Sequence, residues 1–390
     1  MTIHEHSMTT KDRIHFLDNL RTIIIFFVIL YHAGGVYECA GTWAFFWLVD
    51  DPATFCPAGF VNIVVDIFAM PTMFFISGYL VPLSLSSKSK WEFLKTRFRR
   101  LMIPWAIAAL TLIPLYKVIF LYSRGLPQEH WTTYFHFTGG SIYISMNWLW
   151  FLPVLFLFNV VYVLLSEANI RLPNISMNGA IAGTFLVSLA SSFIIGELVE
   201  FRSWTTTPLI DFENERLLMY FMVFLLGSLW YRQHAFAEKP QRKTLYVIAN
   251  SVAWIPVTVH IFARLAPFLD PAGFSVTPLY RLIWWLSFDV SLLTLMYVLI
   301  QSFWRYVDKP GRLWGELSRN SYGVYIIHVI VLGGIALFLL NLALPPVLKY
   351  VILVASTMVV SNLIVSLYRR AVSGFRMTSQ RSVPGVGVST

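Results

Sequence analysis

Apolar stretches of about twenty residues recur almost without pause along this chain, and nothing else in the sequence restricts its fold as severely. A helix rising about 1.5 Å per residue needs roughly that length to cross a hydrocarbon core of about 30 Å. Ten such stretches can be delimited: Leu17–Tyr37, Ala58–Val81, Leu101–Tyr122, Trp148–Leu165, Met177–Ile195, Pro208–Trp230, Lys243–Leu265, Tyr280–Phe303, Ser321–Leu342 and Pro346–Leu367. Hydrophobic residues make up 57% of the chain and charged residues 13%, against roughly 45–50% and about 25% in soluble domains. The expected fold is an all-α integral membrane protein with about ten transmembrane helices.

Lys and Arg collect on the cytoplasmic side of membrane proteins. An internal N-terminus puts 22 of the 29 in cytoplasmic segments, six of them in "PLSLSSKSKWEFLKTRFRRLMIPW" ahead of the third span. Both termini are then cytoplasmic. No internal repeat divides the chain, so residues 1–370 read as a single transmembrane domain and residues 371–390 as a disordered cytoplasmic tail. The formal charge of +9 is scattered over short loops. That distribution suits membrane lipids or an anionic cofactor and speaks against nucleic acid.

Polar groups inside a span are costly and mark candidate sites. In "LDNLRTIIIFFVILYH", Arg21 and His32 are eleven residues apart, which leaves an angular offset of about 20° and a rise of about 16 Å on a helix. They share a stripe, and Asp18 lies on it too, near enough to orient the guanidinium. Such a stripe suits a long anionic ligand entering from the cytoplasm, its charged head at Arg21 and its reactive end at an imidazole able to take a proton from a hydroxyl. Helix packing with a snorkelling arginine is the competing explanation. Arg97 and Arg100, three apart, could grip a phosphate with forked donors or simply anchor to lipid.

Ser321, Tyr325 and His328 fall on one face of the ninth span, where Tyr325 and His328 either line a cavity or bond between helices. Ser77 in "SGYL" is a weaker cavity candidate, since Ser and Gly also serve helix packing. Asp66, Lys117, Asp211, Glu213, Glu215, Arg216, His260 and Asp289 lie toward the outer half. Some neutralise one another, while Asp66 and Asp289 could line a vestibule for a hydroxyl-rich acceptor, with Trp284 and Trp285 stacking on a sugar face. Cys39 and Cys56, in the first external loop, either pair as a disulfide or stay separate thiols. No metal-ligand spacing, GxSxG elbow, HExxH or P-loop occurs, so no metal and no tightly bound cofactor is expected.

Five fragments in order, "LDNLRTIIIFFVILYH", "FFISGYLVP", "RFRRLMIPW", "LWFLPVLF" and "NSYGVYIIH", resemble the membrane acyltransferases of family three, the O-antigen, exopolysaccharide and periplasmic glucan O-acyltransferases of bacteria. The resemblance implies acyl transfer from cytoplasmic acyl-CoA, as co-substrate, to a hydroxyl of a carbohydrate or glycan acceptor across the membrane. It implies His32 as the catalytic residue, with Arg21, Arg97 and Arg100 binding or positioning acyl-CoA, and a bacterial inner membrane as the location. Relatives often carry a His where this chain has Trp148, and many continue into a hydrolase-like domain after the last span. The shorter form points to the glucan-modifying type, with acetyl or succinyl as the acyl group. A transporter or flippase of a polar or lipid-linked sugar is the alternative reading, with Arg21, His32 and Asp289 as a proton or substrate path. A homo-oligomer is compatible with either.

Overall fold

In the computed structural model the described residues are 14–39, 48–130, 133–134, 147–167, 175–207, 209–237, 243–309 and 311–381. They form eleven helices: α1 (His15–Tyr37), α2 (Pro57–Leu85), α3 (Lys90–Ser123), α4 (Phe151–Glu167), α5 (Met177–Leu198), α6 (Leu217–Arg232), α7 (Lys243–Val252), α8 (Trp254–Leu269), α9 (Pro278–Tyr306), α10 (Arg312–Leu340) and α11 (Pro346–Arg381). Among the described residues, nine helical stretches are long and apolar enough to cross a bilayer, with α7 and α8 counted as one. Apolar side chains such as Ile255, Val259 and Phe262 on α8 and Leu363 and Leu367 on α11 are exposed. That outward apolar surface identifies an integral membrane protein.

The departure from the expected ten comes at the sixth span. Residues 209–216 do not begin a helix: β1 (Trp204–Thr206) pairs antiparallel with β2 (Asp211–Glu213), and a 3-10 turn follows at Asn214–Arg216. The polar run "DFENER" is responsible, because its carboxylates and Arg216 find partners in the hairpin that a lipid-exposed helix would deny them. What remains is α6, 16 residues long and therefore about 24 Å, too short to be counted with the nine.

Other ends moved outward. Ser89 caps α3 by accepting from the Glu92 backbone N–H at 3.2 Å, and Glu92 completes the Ser-x-x-Glu box. The basic segment is thereby wound into the start of a 34-residue helix. The ninth expected span likewise begins earlier, at Arg312. Helix α11 continues to Arg381, and residues 382–390 of the expected tail lie outside the described set.

Helix α1 occupies the centre, packed against α2, α9, α10 and α11. Its Ile25, Ile29 and Ala33 belong to an apolar core shared with α3, α4, α10 and α11, whereas Leu20, Ile24 and Val28 join one shared with α2, α6, α8 and α9. The closest helix crossing is between α2 and α6. A Cβ at Gly78 would strike the carbonyl of Phe224, and one at Gly227 would strike that of Phe75. These two glycines let the backbones touch reciprocally.

Candidate active site

Helices α1 and α10 lie side by side, and their polar stripes meet. His32 Nδ1 is 2.8 Å from His328 Nε2, with ring centroids 4.9 Å apart and planes inclined by 30°. His328 Nδ1 lies 2.7 Å from the carbonyl oxygen of Tyr325. A carbonyl only accepts, so this nitrogen carries the His328 proton. With both rings neutral, His328 Nε2 is then an acceptor and His32 Nδ1 the donor to it, which leaves the lone pair of His32 on Nε2. His328 is fully buried and His32 half-buried. The inner imidazole thus fixes the tautomer of the outer one, the arrangement required of a proton acceptor.

The turn of α10 that carries His328 is pinned from the third side. Trp148 donates its indole N–H to the Ile326 carbonyl at 2.9 Å, and Tyr325 donates its hydroxyl to the Trp148 carbonyl. Trp148 also lies 5.9 Å from the Tyr116 ring. The Trp148 indole thereby braces the helix turn that carries His328.

At the basic end, Arg21 donates from Nε to Ser321 Oγ at 3.1 Å and from Nη2 to the Ser318 hydroxyl and carbonyl at 3.2 and 3.3 Å. It also pairs with Asp18 at 3.1 Å. The Arg21 side chain keeps 30% of its surface exposed. Helix α3 is joined to the same part of α10 by the Tyr322 hydroxyl, which donates to the Arg100 carbonyl at 2.6 Å. Arg97 lies 5.0 Å over the Phe93 ring with its Nε making no hydrogen bond, and Arg100 is exposed. The Arg21 guanidinium is therefore held on the first turns of α10, and Arg97 and Arg100 lie on the helix that packs against it. Ser318 and Tyr322 were not singled out in the sequence, although Ser318 sits one turn before Ser321 on the stripe that was.

The remaining candidates are placed differently. Tyr325 braces α10, and Ser77 is half-buried on α2 beside the crossing glycine Gly78. Asp66 holds Arg216 through two hydrogen bonds of 3.0 and 2.9 Å. Arg216 pairs in turn with Glu213 at 3.1 Å, and Glu213 with Arg202 at 3.4 Å. Burial against Asp66 and Glu213 fixes the Arg216 charge, their attraction outweighing desolvation. Asp289 is buried between α5, α6 and α9 near Thr184 and Ser188, in a crevice too tight for water, and neither of its carboxylate oxygens makes a hydrogen bond. Trp284 and Trp285 are also fully buried. Arg202 and Arg264 cover the Trp284 ring at 5.1 and 5.4 Å, so the expected sugar platform is a support for guanidinium groups instead. Cys39 and Cys56 are joined in a disulfide that ties the end of α1 to the start of α2.

The described residues thus form a helical bundle in which the His32 and His328 imidazoles touch and Arg21, on the same helix as His32, bonds the start of the same partner helix. The sequence model of an acyltransferase domain family matches residues 14–366, and the chain belongs to that family of membrane acyltransferases. No curated protein and no solved structure matches it.

Proposed function

We propose that this protein is an O-acyltransferase that moves an acyl group, acetyl or succinyl, from cytoplasmic acyl-CoA to a hydroxyl of a glycan across a bacterial inner membrane. The observation that carries the reading is the directed chain from His32 Nδ1 through His328 to the Tyr325 carbonyl. His32 Nε2 takes the acceptor hydroxyl proton as that oxygen attacks the thioester carbonyl. The carbon–sulfur bond then breaks, and the departing thiolate receives the proton from His32. While His32 is an imidazolium, its Nδ1–H donates to His328 through a charge-assisted bond, which lowers the energy of the charged state. His328 is a positioning residue in this scheme. Arg21, Arg97 and Arg100 hold the phosphate groups of CoA at the basic end. Counting α6 as a crossing gives ten, with both termini cytoplasmic and the guanidinium groups on the side where acyl-CoA is made.

The test is transfer of label from radiolabelled acetyl-CoA and succinyl-CoA in membranes, intact protein against His32→Ala. Label reaching a saccharide fraction only with His32 present supports the reading and identifies the donor. Transfer that survives in folded His32→Ala removes its centre.

A further inference from the structure

Four of the described tryptophans are buried, and they differ in what the indole N–H meets. Trp105, Trp284 and Trp285 have Nε1 without a hydrogen-bond partner among the described residues. Trp148, 2% exposed, donates to the Ile326 carbonyl at 2.9 Å. Ile326 lies in the middle of α10, where a carbonyl already accepts from the next helical turn, so the helix ladder is complete without this bond. A second bond runs the other way, from the Tyr325 hydroxyl to the Trp148 carbonyl. Two consecutive residues of α10 are thus tied to one residue of the neighbouring turn by bonds of opposite direction. The Tyr325 hydroxyl is also within hydrogen-bonding reach of the Phe151 backbone N–H at the start of α4, and the Phe151 and Tyr325 rings meet edge-on with centroids 5.8 Å apart.

The turn that presents Trp148 is anchored on its far side. Asn147 has φ of 48°, in the left-handed region that strains most side chains and that asparagine tolerates. Its side chain is within hydrogen-bonding reach of the Tyr116 hydroxyl on α3. A series of contacts therefore runs from α3 through this turn to the segment of α10 that carries His328. The Arg21 bonds to α10 lie at Ser318 and Ser321, about two to three turns before His328. Trp148 acts at the level of His328 itself, where precision matters most: lengthening the 2.8 Å contact between His32 Nδ1 and His328 Nε2 by about 0.5 Å would carry it past the usual hydrogen-bond range.

We infer that Trp148 is a positioning residue of the transfer reaction: it holds the Tyr325–His328 turn of α10 at the height where His328 accepts from His32, and so keeps the lone pair of His32 on Nε2. The role rests on the proposed acyl transfer for its consequence. Trp148 meets neither donor nor acceptor in that scheme and acts through His328.

Trp148→Phe keeps an aromatic ring and deletes the N–H, while Tyr325→Phe deletes only the hydroxyl. Each should lower kcat by about twofold to tenfold, the scale of one neutral hydrogen bond, displace the pH–rate profile and leave the acyl-CoA KM in place. In His328→Ala no imidazole is left to position, so adding Trp148→Phe should change kcat no further. Nitrogen NMR of full-length, histidine-labelled protein in detergent reads the pair without turnover. The His32 and His328 signals, identified by their loss in the two Ala variants, should move in Trp148→Phe and in Tyr325→Phe. Unaltered kcat and pH profile in both Phe variants, a loss of kcat from Trp148→Phe as large in His328→Ala as in the native background, or histidine signals that stay in place would each overturn the role. Histidine signals that move in a protein transferring no acyl group would uphold the clamp and refute the proposed reaction.

Discussion

The two ends of the helix bundle treat charge in opposite ways. Around Arg216 the charges of Asp66, Glu213 and Arg202 form a continuous set, with the Arg216 and Glu213 side chains almost fully buried. At the start of α11, Lys349 is buried on the carboxylate of Asp51 at 2.9 Å. Around the start of α10, Arg21 keeps part of its surface open, Arg100 is exposed, and Arg97 leaves its Nε without a hydrogen bond. Closed networks hold helices in place, and removing one member strands a buried charge. At the same end Glu316 pairs with Arg319 and Arg369, so the difference lies in the solvent-facing surface that Arg21 and Arg100 keep.

The comparison is sharpest at His32, which belongs to neither network. His32→Ala is expected to lower kcat by about 10²- to 10⁴-fold, the range for a lost general base, with the thermal unfolding midpoint unchanged. A matched fall in both would make His32 part of the frame. Next in size is Arg216→Ala, expected to cost about 3–5 kcal/mol of stability by stranding Asp66 and Glu213; detergent unfolding curves measure it, and little change would mean the closed end is not closed. His328→Ala should reduce kcat by roughly tenfold to a hundredfold, smaller than a lost base, while His328→Gln, which can still accept from His32 Nδ1, should recover part of it. A pH–rate profile displaced in both variants distinguishes tautomer control from simple packing. The smallest effect is expected for Arg97→Ala, which should raise the acyl-CoA KM by about tenfold, the scale of one charge-assisted hydrogen bond, and leave the unfolding midpoint where it was.

Much of this was readable in the chain because hydrophobic length and the spacing on one helix are local properties. The apolar repeats announced the bundle, and the Arg21 and His32 stripe needed only the pitch of a helix. Ser321 and His328 were found in the same way on α10. Their meeting across helices was not, because spacing says which residues share a face and nothing about which face opposes it. The hairpin ahead of α6 was lost for a different reason: an apolar average carried the expected span across "DFENER", whose ion pairs form only once Asp66 of α2 and Arg202 are alongside. Trp284 and Trp285 misled because an aromatic ring near a polar vestibule looks like a platform until guanidinium groups are seen to cover it.

The crossing of α2 and α6 bears on how the chain is made. Gly78 and Gly227 are each fitted to the backbone of the other helix and to nothing nearer in the sequence. Helix α2 leaves the ribosome about 150 residues before its partner does, so the Gly78 notch has no α6 against it while three intervening helices are inserted. The first half of the molecule cannot reach its final packing on its own. Arrested chains ending before Leu217 should remain unlocked, and the bundle should settle in a late step when α6 slides into place.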